Sequence, residues 1–205
     1  FLRTLWYPLC FLDFETCMSA VPLFDGTRPY QQIPFQFSLH IRDSAGAPLR
    51  HEQFLARPNG DPRGEFLQQL LQQVPPGACI LTYNQAFEAT RLRELKASFP
   101  QHAGAIDELL SNMVDLMAPF KQRTVYHWQM RGSYSIKAVL PALVPDLSYD
   151  DLEISDGGMA MDAYFAMCRA VDDATVEKIR QDLTEYCKLD TLAMVRILER
   201  LETLH

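Results

Sequence analysis

No apolar run of about 18 residues occurs in the 205-residue chain, which excludes a membrane-spanning helix. No Cys-x-x-Cys pair occurs either, and the five cysteines (Cys10, Cys17, Cys79, Cys168 and Cys187) are odd in number. A disulfide framework or a structural zinc site is therefore not expected. Cys10 and Cys79 lie in apolar runs and read as small core residues, and a reducing cytoplasm is the natural compartment. No signal peptide is recognisable, and the first residue is Phe1 rather than Met, so the chain reads as a domain excised from a longer protein. Internal repeats, low-complexity tracts and linkers are also missing, which favours a single domain over residues 1–205.

A surplus of positive charge is lacking as well. The net charge is −7, which taken alone argues against nucleic acid. The distribution is more informative than the total. Between residues 116 and 145 no acid occurs, while Lys121, Arg123, Arg131 and Lys137 do. An acidic total also suits a nuclease whose carboxylates hold metal ions.

Hydrophobic residues make up 48% of the chain, enough for a sizeable core. Residues 7–16 read as a buried strand, apolar except for Asp13 and Glu15 near its end. Residues 34–41 alternate, with Phe35, Phe37, Leu39 and Ile41 on one face and Gln36, Ser38 and His40 on the other. That pattern predicts a half-buried antiparallel strand. A turn at 43–46 leads to a third strand at 49–55. Helices are expected at 62–74, 86–98, 104–112, 135–143 and 159–171, and a long one at 173–204 with a break near Lys188. Short strands are expected at 79–83 and 113–116, a loop at Asp156-Gly157-Gly158, and no clear period over 118–132. A three-strand meander followed by alternating helices and strands suits an α/β fold with a mixed central sheet and helices on both sides.

Three groups of residues carry chemistry. Asp13 and Glu15 are two apart on a strand, so both side chains leave one face. Either they are solvated at an exposed strand end, or they are buried and need a divalent cation to offset their repulsion. Tyr186 and Asp190 are four apart on a helix and share one face. Asn84-Gln85-Ala86-Phe87-Glu88 opens a helix after a strand, where Glu88 also suits the helix dipole. Tyr126 and Trp128 read either as base-stacking residues or as core aromatics. The five histidines, including His40, His51 and His127, show no paired ligand spacing.

In their order, Leu12-Asp13-Phe14-Glu15-Thr16, Tyr83-Asn84-x-x-Phe87-Glu88 and Tyr186-Cys187-Lys188-Leu189-Asp190-Thr191 resemble the three motifs of the DEDD (DnaQ-like) exonuclease superfamily. The Tyr-x-x-x-Asp form resembles its tyrosine subgroup, which includes proofreading domains and ribonuclease D. More closely, the chain is similar to an uncharacterised bacterial domain family (DUF2779-like), often attached behind a RecB-like nuclease region. Gly132-Ser133-Tyr134-Ser135-Ile136-Lys137 and Tyr149-Asp150-Asp151-Leu152 also fit that family's pattern.

The resemblance implies a ribonuclease H-like fold and 3′–5′ exonuclease-type hydrolysis of single-stranded DNA or RNA ends with two ions, Mg2+ or Mn2+. It implies that Asp13 bridges both ions, that Glu15 and Asp190 hold the ion that activates water, and that Glu88 serves the second ion. Tyr186 would aim the attacking water, while Asn84, Lys121, Arg123, Arg131 and Lys137 would contact nucleic acid. The superfamily usually has Asp where Glu88 stands, one methylene shorter. That departure keeps two alternatives open: Asp115 as a substitute ligand, and a nuclease-fold module that binds nucleic acid or a protein partner without cutting. A metal-dependent phosphohydrolase acting on small nucleotides is a further reading.

Overall fold

The computed structural model describes residues 1–150 and 152–204; Asp151, within the run 149–152, and His205 lie outside the described residues. Five strands form one mixed sheet in the order β3-β2-β1-β4-β5. Strands β1 (Leu9–Cys17), β2 (Ile33–Arg42) and β3 (Leu49–Leu55) make the antiparallel meander. Strands β4 (Cys79–Thr82) and β5 (Met113–Asp115) then add in parallel beyond β1. Helices α1 (Arg63–Gln73), α2 (Ala86–Ser98), α3 (Ala103–Ser111), α4 (Ala118–Lys121), α5 (Ile136–Leu143), α6 (Gly157–Arg169) and α7 (Asp173–Thr203) flank the sheet. The arrangement is ribonuclease H-like.

The pleat of β1 divides the core. Cys10, Leu12 and Phe14 pack with Phe66, Leu67 and Leu70 of α1 and Leu92 and Leu95 of α2. Leu9 and Phe11 leave the other face and pack with Val139 and Leu140 of α5 and Met194, Ile197 and Leu198 of α7. With period 2, Asp13 and Glu15 continue the Leu9–Phe11 row, so they emerge on the α7 side where the apolar cover ends. The β1–β2 register pairs Asp13 with Ser38 and Glu15 with Gln36, then shifts between Glu15 and Thr16. Such a bulge ends regular pairing and re-aims side chains beside it.

Three local expectations are corrected. Strand β2 is buried on both faces from Ile33 to Ile41 rather than half-buried. Helix α7 lies over its polar row and supplies partners to it: Gln36 Nε2 donates to the Leu183 carbonyl at 2.9 Å, and Ser38 Oγ and His40 Nδ1 lie 2.7 and 2.8 Å from Thr191 Oγ1, while Gln36 Oε1 stays unpartnered. The break expected near Lys188 is absent, because the buried Asp190 and Thr191 that interrupt the apolar stripe of α7 find polar partners across it. Gly157 and Gly158 are the first residues of α6 rather than a loop; the Asp156 carboxylate accepts from Met159 N at 2.9 Å and caps the helix. None of the described helices is long and apolar enough to cross a membrane.

Candidate active site

A cleft of about 420 Å³ opens where the carboxyl end of β1 meets α2, α5, α6 and α7. Asp13, Glu15, Glu88, Tyr186 and Asp190 all line it, together with Asn84 and Lys137. Residues 175 positions apart in sequence are thus brought together by the packing of α7 against β1.

Each acid has a different reason to be there. Asp13 and Glu15 share the strand face that looks toward α7, beyond the apolar row of Leu9 and Phe11. Glu88 is in the first turn of α2, which begins directly after a turn in which Asn84 takes a left-handed conformation with φ 75°. That strained turn is held from below: the Asn84 N–H donates to Asp115 Oδ1 at 3.0 Å, and the Met117 N–H donates to the same oxygen at 2.9 Å. Asp115 is therefore committed to the backbone and does not line the cleft. Asp190 comes from the buried stripe of α7, where Tyr186 precedes it by one turn.

The group is electrostatically frustrated. Burial, then the charges of Asp190, Glu15 and Glu88, raise Asp13 well above the ordinary carboxylate range. Burial first, and the Asp190 charge second, push Glu15 up to about 8. Burial does the same to Glu88, also to about 8. Burial raises Asp190 only to about 6, since the Tyr149 hydroxyl, the Lys137 charge and the nearby Tyr186 phenol favour its anion. The phenols of Tyr186 and Tyr149 are raised by burial and by the Asp190 charge.

Among the described residues, Lys137 is the cation that lines this cleft, and its Nζ donates to the Ser155 carbonyl at 2.6 Å. Of the four unpartnered buried side-chain oxygens among the described residues, Glu88 Oε2 is the one that belongs to a carboxyl group of this cleft. An unpaired buried carboxylate oxygen is costly, and several buried carboxylates with little cationic compensation are costlier still. An all-oxygen donor set of this kind fits hard divalent cations such as Mg2+ or Mn2+.

Of the other basic residues, Lys121, Arg123 and Arg131 are exposed and do not line the cleft. Tyr126 and Trp128 are exposed rather than core. Two close neighbours of the acids stand in motifs read from the sequence but carry no role in that reading. Tyr149 Oη donates to Asp190 Oδ1 at 2.6 Å from the loop before α6, where no periodicity marks a buried residue. Cys187 Sγ lies 3.9 Å from Asp13 Oδ2, and the ligand atoms of Asp13, Glu15 and Cys187 all fall within 4.8 Å of one another. The signal for Cys187 was its place on the buried stripe of α7, three residues before Asp190.

Residues 10–135, more than half of the chain, match the family described as a domain of unknown function, DUF2779. The chain belongs to this family. The DUF2779 match includes Asp13, Glu15 and Glu88 and stops short of Tyr186 and Asp190. Similarity to full-length relatives reaches further. An uncharacterised protein of Mycoplasma pneumoniae, the MG366 homolog, is 27% identical over 218 residues, covering 95% of this chain and 33% of its own length. The uncharacterised protein MG366 of Mycoplasma genitalium is 23% identical over 205 residues, covering 91% of this chain and 31% of its own length. The chain thus spans about a third of the length of these curated relatives. No solved structure matches it.

Proposed function

We propose that this DUF2779 domain is a metal-dependent 3′–5′ exonuclease-type phosphodiester hydrolase. The observation that carries the reading is the meeting of Asp13, Glu15, Glu88 and Asp190 in one cleft, with Glu88 Oε2 unpartnered. The order of their motifs along the chain, similar to that of the DEDD superfamily, supplies the direction of attack and the class of substrate.

In this reading Asp13, Glu15, Asp190 and Glu88 hold two divalent cations, Mg2+ or Mn2+. When bound, such ions activate water and offset the charge that builds on the attacking and leaving oxygens. The chain's own residues do the rest. Tyr186 accepts or donates a hydrogen bond to the attacking water and aims it at phosphorus. Lys137, on the cleft wall, is placed to meet a phosphate oxygen. Tyr83 and Phe87 also line the cleft and give it aromatic surface on which a terminal base can rest. Glu88 is longer than the usual Asp by one methylene, and a contact made through a water molecule tolerates that difference. A RecB-like nuclease region elsewhere in the full-length protein belongs to the same proposal.

The length of Glu88 also favours a second reading, a module that grips nucleic acid or a partner without cutting. One assay separates the two. Single-stranded DNA and RNA labelled at the 5′ end are incubated with Mn2+, with chelator, and with the Asp13→Ala variant. Shortening from the 3′ end that both chelator and Asp13→Ala abolish supports the exonuclease. Retention of intact label on the protein, with no shortening, supports the binding module.

A further inference from the structure

Asp190 is fixed by a residue from outside its own helix. The Tyr149 hydroxyl donates to Asp190 Oδ1 at 2.6 Å across 41 positions of sequence. A carboxylate at the surface of a helix turns freely about its last torsion; one whose oxygen accepts a short hydrogen bond from a fixed donor does not. The donor here is fixed independently of Asp190. The Tyr149 ring packs against both apolar clusters on this side of the sheet, one containing Val144 and Met194 and the other containing Tyr164, Leu183 and Tyr186. The ring centroids of Tyr149 and Tyr186 are 6.3 Å apart. The segment between α5 and α6 that carries Tyr149 is tied at its far end, where Lys137 Nζ holds the Ser155 carbonyl.

We propose that Tyr149 is a positioning residue that presets Asp190 for cation binding by holding its Oδ1. The inference rests on the metal-dependent reading of the site. It gives the two phenols different principal tasks: Tyr149 holds the carboxylate, while Tyr186, which also favours the Asp190 anion, aims water. It also couples the packing of the Tyr149 ring to the site, because a shift of that ring moves the donor to Asp190.

The test compares Tyr149→Phe with the parent and with Asp13→Ala in a Mn2+ titration followed by electron paramagnetic resonance, alongside the metal-free Tm and oligonucleotide kinetics. Phe keeps the packed ring and removes only the donor. Partners of metal ligands commonly contribute about 10–100-fold to affinity, so the expected result is Mn2+ bound about tenfold more weakly. The metal-free Tm should stay within about 2 °C of the parent's. The lost kcat should return at high Mn2+, with the oligonucleotide KM unchanged. Mn2+ affinity within twofold of the parent's, or a loss accompanied by a Tm drop of more than about 5 °C, overturns the assignment and leaves the metal reading intact. Failure of the parent itself to bind Mn2+ more tightly than Asp13→Ala overturns both.

Discussion

Asp13, Glu15, Glu88 and Asp190 are each defensible alone; the tension arises because they are buried together. The sign of the resulting pH dependence follows from the raised carboxylates. An unfolded Glu loses its proton near its ordinary value of 4.5, whereas folded Glu15 and Glu88 keep theirs to about 8. Between these values the native state binds more protons than the unfolded state, so metal-free stability falls as pH rises. His40, lowered to about 3 by burial and by His51, has the opposite effect, but only below its ordinary value of 6.5. The clean window is therefore pH 6.5 to 8. Metal-free Tm measured across it should decline, and saturating Mn2+ should abolish most of the decline. A Tm that is flat without metal would mean that the acids are solvated. Asp13→Asn removes one repelling charge; its metal-free Tm at pH 8 should equal or exceed the parent's while hydrolysis is lost. Tyr186→Phe should slow single-turnover hydrolysis by about 100-fold with Mn2+ affinity unchanged, since it acts on the position of water.

Helix α7 decides whether those residues meet. Its stripe of Leu183, Tyr186, Cys187, Asp190, Thr191, Met194 and Leu198 changes from apolar to polar and back, and β2 answers it with Gln36, Ser38 and His40. Thr191 is the centre of that match, so Thr191→Val leaves His40 Nδ1 without its partner and should cost about 1–3 kcal/mol in urea unfolding. A cost near zero would mean that water reaches the network. The same match explains what could be read from sequence. Strand β3 and helix α2 were legible to the residue, because periodicity and turn residues are local signals. The polar row of β2 read as solvent-facing because nothing local says that a helix 150 residues later covers it. Gly157 and Gly158 read as loop because the cap that makes them helical is a single Asp156 carboxylate. Tyr149 was invisible as an Asp190 partner for the same reason: its role exists only in three dimensions.

At the scale of the whole molecule, the ribonuclease H-like sheet acts as a frame. Strand β1 is central, with antiparallel β2 on one side and parallel β4 on the other. Its carboxyl end, the α2 N-terminus and the middle of α7 therefore converge, and the motif order read from sequence becomes one cleft. Lys121, Arg123, Arg131 and Trp128 stay outside it, so of the basic stretch only Lys137 reaches the acid centre. The central claim, that the acid cluster is a cation centre, is tested most directly by anomalous scattering from crystals of the protein grown or soaked with Mn2+. The account predicts two anomalous peaks in the cleft, about 3.5–4 Å apart, with Asp13 touching both. Absence of any peak there, with the Asp13, Glu15, Glu88 and Asp190 carboxyls hydrogen-bonded to one another through shared protons, would contradict it.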